Sequence, residues 1–140
     1  MEDRPTLQET PDIIKIMKND HRHILALFQV YLATEADSRQ ALVDQILQRL
    51  HDHFEWEETL FGKGALLQGH AHGTAVLRRV LLEHEEVKAM MDEFNRAETD
   101  DDESMDQFFE DMMQTVRVHF QSEERDLIPL FDAVATSTER

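Results

Sequence analysis

Two stretches of this chain share the pattern His-Phe-x-x-Glu-Glu: His53-Phe54-Glu55-Trp56-Glu57-Glu58 and His119-Phe120-Gln121-Ser122-Glu123-Glu124. Side chains at positions i and i+4 lie on the same face of an α-helix. His53 with Glu57, and His119 with Glu123, would therefore each present one imidazole and one carboxylate in a common direction. One nitrogen and one oxygen ligand on each of two helices is an arrangement that can hold iron.

The composition favours one globular domain over residues 1–140, because the chain has 140 residues and 41% of them are hydrophobic. Its formal net charge of −16 excludes nucleic acid and anionic membrane surfaces as expected partners, since like charges repel. The chain contains no cysteine. Disulfides and thiolate ligands are therefore excluded, and any metal must be held by nitrogen and oxygen atoms.

The first residues of the chain and the length of its apolar runs indicate its expected cellular location. The first residues, Met1-Glu2-Asp3-Arg4-Pro5, lack the apolar segment of a signal peptide. Apolar runs are also shorter than a membrane span requires. We therefore expect a soluble cytoplasmic protein with no membrane association.

Apolar residues recur at helical spacing in four segments, so the sequence predicts an all-α fold. The predicted helices cover about 11–34, 38–64, 74–97 and 103–134, and short links between them favour an up-down-up-down antiparallel four-helix bundle. Leu32 is expected on the buried face of the first helix, and Pro129 is expected to kink or end the fourth. All four glycines fall between residues 62 and 73. We expect this segment to be the main loop, with His70 and His72 in it.

Each predicted helix carries one histidine in the middle of its apolar face, and these are His21, His53, His84 and His119. At about 1.5 Å per residue, the four lie at similar heights along the bundle. His23 and His51 point away from these faces. A single buried histidine is more often a hydrogen-bonded core residue than a ligand. Four of them with two core-facing glutamates indicate a metal site, with a structural hydrogen-bond network as the alternative.

These residues resemble the hemerythrin-like (HHE cation-binding) domain family over nearly the whole chain. The resemblance rests on Asp20-His21, on the two His-Phe-x-x-Glu-Glu stretches and on Glu83-His84-Glu85-Glu86. It implies a non-haem di-iron centre, with two iron ions bridged by carboxylates and an oxo or hydroxo group. The ligand types also suit manganese or zinc. The metal ligands are expected to be His21, His53, Glu57, His84, His119 and Glu123.

The chain departs from the oxygen-carrying members of that family at two positions. Lys88 stands where they have a further histidine, and Glu124 where they have an aspartate. Glu123 lies only about 40° from His119 around the helix and Glu124 about 140°, which favours Glu123 as the second bridge. A different rotation of the fourth helix would reverse that choice. Lys88 either reaches a carboxylate or a bound anion, or extends to solvent with its stem packed.

The resemblance implies a small-molecule-binding protein that senses, stores or transports oxygen, nitric oxide or iron. A redox enzyme that reduces peroxide or nitric oxide is an alternative, and a metal-stabilised interaction module is another. Whether the protein is an enzyme, and its oligomeric state, do not follow from these residues.

Overall fold

The computed structural model describes residues 10–35, 38–62, 71–96 and 102–130, and all of its regular elements are helices. A π-helical segment follows the fourth α-helix, and a last helical turn covers residues 128–130. The elements are α1 (Thr10–Ala33), α2 (Arg39–Gly62), α3 (Ala71–Arg96), α4 (Asp102–Ser122) and the π segment (Glu123–Leu127). The predicted all-α class and four-helix bundle are confirmed.

Contacts at the two ends of the bundle establish the direction of the helices. Tyr31, near the end of α1, donates a hydrogen bond of 2.9 Å to Asp106, near the start of α4. At the opposite end, Arg79 of α3 donates a hydrogen bond of 2.7 Å to Asp126 of the π segment. Because α4 starts where α1 ends and ends where α3 starts, it runs antiparallel to both. The chain therefore runs up, down, up and down.

The apolar core is divided into two clusters with a polar layer between them. The larger cluster lies toward the end where α1 joins α2, and it is built around Phe28, Leu50 and Phe109. The smaller cluster lies toward the other end and includes Met17 and Leu127. The apolar side chains on both sides hold the four helices in a fixed relation, so side chains in the layer between them have fixed positions.

The first helix buries Tyr31 rather than Leu32, the residue that the apolar spacing favours. Leu32 is 41% exposed, so the prediction that it is buried was wrong, and Tyr31 is fully buried in its place. Tyr31 lies on the face that also carries Ile24 and Phe28. A buried tyrosine needs a partner for its hydroxyl, and Asp106 supplies one. The aromatic ring can therefore occupy the core position.

The predicted loop between the second and third helices includes residues that belong to the third helix. Helix α3 begins at Ala71 rather than near residue 74, so His72 lies in its first turn, where it is exposed. Gly73 is buried within the helix, so this glycine does not break helical order. Helix α2 extends to Gly62, and residues 63–70, with His70 among them, lie outside the described residues.

The end of the bundle departs from α-helical geometry just before Pro129. The backbone N–H of Ile128 donates to the carbonyl oxygen of Glu123, which is the i→i+5 bond of a π-helix. Proline cannot donate to the carbonyl four residues earlier and its ring collides with that group, so a local distortion is expected there. The helix nevertheless continues through Leu130. The predicted end at residue 134 lies outside the described residues.

Candidate metal centre

Six titratable side chains form the polar layer between the two apolar clusters. Each is at most 2% exposed, and together they are His21, His53, Glu57, His84, His119 and Glu123. They come from all four α-helices and from the π segment that follows α4. The structure thus brings together in one buried layer every side chain that the sequence singled out as a ligand, and it leaves His23 and His51 exposed.

The first half of the layer contains His21, His53, Glu57 and Glu123, whose potential ligand atoms all lie within 4.8 Å of one another. His53 Nε2 lies 3.0 Å from Glu57 Oε2. His21 Nε2 lies 3.1 Å from Glu123 Oε1. These four side chains therefore converge on one point from three sides of the bundle.

The second half contains His84, His119 and the same two glutamates, again within 4.8 Å. His84 Nε2 lies 3.0 Å from Glu57 Oε1. His119 Nε2 lies 3.5 Å from Glu123 Oε2. Each glutamate thus turns one oxygen toward the first pair of histidines and the other oxygen toward the second pair. Two carboxylates shared in this way suit a pair of metal ions.

The four histidines are held from behind by a second set of carboxylates, one on a neighbouring helix for each ring. The Nδ1 to carboxylate distances are 2.7 Å for His21 with Glu124, 3.0 Å for His53 with Asp20, 3.2 Å for His84 with Glu58 and 2.9 Å for His119 with Glu83. A carboxylate at Nδ1 favours a proton on that nitrogen and turns Nε2 inward. Histidines that bind metals commonly have this support.

The role of these outer carboxylates was not predicted from the sequence. The sequence suggests Glu124 only as a possible bridge, and the structure places its carboxylate 2.7 Å from His21 Nδ1. A signal was present, because each outer acid is adjacent in sequence to a residue of the inner layer. Asp20 and Glu83 precede a histidine, whereas Glu58 and Glu124 follow a glutamate. The partner of each acid lies on another helix, which sequence spacing does not reveal.

The inner atoms of the layer are suited to coordinate bonds rather than to hydrogen bonds. Seven buried side-chain nitrogen and oxygen atoms among the described residues have no hydrogen-bond partner, and six of them belong to this layer. They are Nε2 of His21, His53 and His119, both carboxylate oxygens of Glu57, and Oε1 of Glu123. These atoms lie 3.0–3.6 Å from oppositely charged partners but outside hydrogen-bond geometry, and burying polar atoms without hydrogen bonds is costly. Metal ions between them would satisfy all six, and the nitrogen and oxygen donors suit iron, manganese or zinc.

The phenylalanine of each repeated stretch covers the histidines. The ring of Phe120 stacks on His21, with 3.9 Å between centroids and 7° between planes, and its centroid lies 5.6 Å from that of His53. The ring of Phe54 packs against His84 with 4.5 Å between centroids, but it is tilted by 37° rather than stacked. The two rings occupy equivalent positions against the two halves of the layer. They supply apolar walls that limit the entry of water.

The histidines strongly favour the ionised form of the two inner carboxylates. Burial alone would raise the pKa of Glu57, but the charge of His53 and the contacts with His21 and His84 hold that pKa well below its usual range. Burial and the charge of Glu57 would both raise the pKa of Glu123, but His119, His21 and His84 outweigh them and lower it. Both carboxylates are therefore ionised at neutral pH, as metal binding requires.

The same contacts favour protonated histidines when no metal is bound. Burial would lower the pKa of His21, but Glu123, Glu124 and Glu57 outweigh it and raise that pKa to about 11. Burial is outweighed in the same way at His84, where Glu123 and Glu57 raise the pKa to about 10. The pKa of His53 is also raised, against the effect of burial, by Glu57 and Asp20. Protons and metal ions would therefore compete for these nitrogens.

Lys88 reaches a carboxylate, which was one of the two alternatives for this residue. Its Nζ lies 2.7 Å from the Glu58 carboxylate and 3.6 Å from Glu85 Oε1. The Lys88 side chain is 38% exposed, so its stem is partly packed while its ammonium group bridges α3 to α2. Lys88 thereby contacts the outer carboxylate of His84.

Comparison with known families agrees with this geometry. Residues 12–131 match the family described as the hemerythrin HHE cation binding domain. The chain belongs to this family. The resemblance seen in the sequence is therefore confirmed. Comparisons with curated proteins and with solved structures gave no match.

Within the described ranges, no helix of this HHE domain has an apolar stretch long enough to cross a membrane.

Proposed function

We propose that this HHE domain holds two iron ions in its buried layer and reversibly binds a small molecule such as oxygen or nitric oxide there, for sensing, storage or transport. The observation that carries the proposal is the sharing of Glu57 and Glu123 between two pairs of histidines. Two ions in such a layer would both use these carboxylates as bridges, and each ion would also be bound by its own two histidines.

The number of ligands favours the binding of a further molecule. Each half of the layer offers two imidazoles and two shared carboxylates. Iron held by few histidine and carboxylate ligands keeps coordination positions open, and such positions supply the binding chemistry for oxygen or nitric oxide. Lys88 pairs with Glu58 and so does not add a ligand at the place where oxygen-carrying members have a histidine.

The surrounding residues have complementary roles in this proposal. The outer carboxylates fix the ring orientation of the four histidines, so little reorganisation is needed when a metal enters. Glu57 and Glu123 contribute two negative charges that offset the charge of the cations in a low-dielectric core. Phe54 and Phe120 limit the access of water to the histidines. A small neutral molecule is admitted to such an apolar site more readily than a charged one.

Metal counting and optical absorption under controlled gas test the proposal. The protein is loaded anaerobically with ferrous iron, counted for metal, and exposed first to oxygen or nitric oxide and then to vacuum. We expect two iron ions per chain. We also expect the absorption spectrum to return to that of the ferrous protein when the gas is removed. Continued consumption of peroxide or nitric oxide in the presence of a reductant would favour the redox enzyme. Tight zinc binding without iron would favour the interaction module.

A further inference from the structure

Lys88 makes the two halves of the metal centre electrostatically unequal. Counted from the histidine of each helix, Lys88 on α3 is equivalent to Leu25 on α1. The outer carboxylates are equivalent in the same way, since Glu58 contacts His84 and Glu124 contacts His21. Glu58 therefore has an ammonium group at 2.7 Å, whereas the equivalent position near Glu124 is occupied by an apolar side chain. Lys18 and Arg22 act on Glu124 through their charge alone.

The distances follow this difference in charge. Glu124 lies 2.7 Å from His21 Nδ1, whereas Glu58, which pairs with Lys88 at 2.7 Å, lies 3.2 Å from His84 Nδ1. The contact at His84 is the longest of the four between a histidine and its outer carboxylate. A carboxylate that is already paired with a cation is a weaker acceptor for a second donor. His84 therefore has the weakest support from behind.

We propose that Lys88 is a positioning residue that acts through Glu58 to make the half of the centre containing His84 and His119 easier to reduce than the half containing His21 and His53. This inference rests on the proposed di-iron function. A weaker hydrogen bond at Nδ1 leaves the His84 imidazole less electron-rich, so it donates less to a metal at Nε2. A nearby positive charge also favours the reduced ion, so both effects have the same sign.

The size of the effect is limited by solvent. The Lys88 side chain is 38% exposed and that of Glu58 is 29% exposed, so water and salt screen their interaction. We therefore expect a change of about tenfold in the reduction equilibrium, which corresponds to about 59 mV for one electron. Lys88 contacts the outer carboxylate of His84 directly, at 2.7 Å, which makes Glu58 the residue to test with it.

Reduction potentials of iron-loaded variants test the inference. Lys88→Met removes the charge and keeps the packed stem. It should lower one of the two reduction potentials by about 59 mV, which is a tenfold change in the one-electron reduction equilibrium. Lys88→Arg should keep the wild-type value because it keeps the charge. Lys15→Met is the matched control, since Lys15 is exposed on α1 and the change in net charge is the same. Equal potentials for Lys88→Met and Lys15→Met would overturn the inference.

A double-mutant cycle shows whether Lys88 acts through Glu58. Glu58→Gln alone should raise the same potential, and adding Lys88→Met to it should cause a smaller shift than in the wild-type background, because only the direct effect of the ammonium charge remains. A full Lys88→Met shift in the Glu58→Gln background would overturn a route through Glu58. If Lys88→Met does not retain iron, Glu58→Gln alone decides, and an unchanged potential in that variant overturns the inference.

Two further results separate this inference from the proposed function. Wild-type protein that takes up no iron would overturn both, whereas wild-type protein with two iron ions and the same potentials in all variants would overturn the role of Lys88 alone. A readout without metal is the proton NMR signal of His84 Nδ1–H. It should move downfield in metal-free Lys88→Met protein as the hydrogen bond to Glu58 strengthens, and a signal that stays in place counts against the inference.

Discussion

The half of the bundle formed by α1 and α2 and the half formed by α3, α4 and the π segment carry the same inner residues at equivalent positions. His21 corresponds to His84, His53 to His119 and Glu57 to Glu123. Some buried apolar residues at equivalent positions differ: Ile24 corresponds to Val87, and Leu50 to Val116. Apolar volume can be filled in many ways, but the direction of a ligand atom cannot be changed without losing the site. The comparison indicates that the polar layer, rather than the apolar packing around it, constrains the sequence of both halves.

The halves also differ after the second glutamate of each repeated stretch. In α2, Leu60 lies three residues after Glu57, whereas in the other half Leu127 lies four residues after Glu123, yet both leucines are buried in the smaller apolar cluster. The π segment accommodates the additional residue by widening one turn. His119, before the π segment, and Glu123, at its first residue, therefore keep the same spacing as His53 and Glu57 of α2 despite the different sequence that follows.

Removing a carboxylate shared by both halves should have the largest effect. We expect Glu57→Gln to weaken metal binding more than about 100-fold at both positions, because changes in outer-shell residues alone cost about 10- to 100-fold. Glu123→Gln should behave alike if the halves are equivalent. Metal counting after dialysis measures the loss, with Glu55→Gln as the control because Glu55 is exposed. Retention of one ion by Glu57→Gln would show that this carboxylate is not a bridge.

Removing a histidine that belongs to one half should have a smaller effect. His53→Ala and His119→Ala should each lower the iron content by about half and lower the melting temperature of the loaded protein, since binding to the folded state stabilises it. His23→Ala should change neither quantity, because His23 is exposed on α1. Iron content that is unchanged in His53→Ala would remove His53 from the site.

The pH dependence of stability should differ in sign between the metal-free and the loaded protein. The raised pKa values of His21 and His84, about 11 and about 10, mean that their ion pairs stabilise the metal-free fold fully below pH 6.5. That contribution is lost as the pH rises toward 10 and 11. Stabilisation by iron should instead increase with pH, because fewer protons compete for the histidines.

Calorimetry of chelator-treated and iron-loaded protein between pH 6 and pH 9 measures both trends. Metal-free His21→Gln is the control, because it should show a smaller decrease than wild type if the His21 ion pairs cause it. A gain from iron that does not change with pH would contradict competition between protons and metal.

The positions of the helices and of the inner histidines could be predicted because both follow from helical spacing. The choice between Glu123 and Glu124 depends on the rotation of the last helix about its axis, which only packing fixes. Outer carboxylates such as Asp20 could not be assigned, because each one contacts a histidine on another helix. Leu32 was misplaced for a related reason. Adjacent positions differ by only about 100°, and the hydroxyl partner that lets Tyr31 enter the core comes from α4.

The smallest effect is expected at Tyr31, whose equivalent in the other half is Phe94. The Tyr31 hydroxyl donates to Asp106, which also accepts a hydrogen bond of 2.9 Å from Arg39, and the Arg39 guanidinium lies 4.7 Å from the Tyr31 ring. Tyr31→Phe should lower the free energy of unfolding by about 1–2 kcal/mol, because one hydrogen bond to a charged acceptor is lost. Denaturant unfolding of metal-free protein measures this change.

Iron content should stay at the wild-type value in Tyr31→Phe, because Tyr31 lies in the larger apolar cluster and not in the polar layer. The substitution therefore separates stability from metal binding, which the histidine substitutions change together. A loss of iron in Tyr31→Phe with unchanged unfolding free energy would show that the turn between α1 and α2 is linked to the centre. The difference between Tyr31 and Phe94 would then belong to the function of the two halves rather than to their packing.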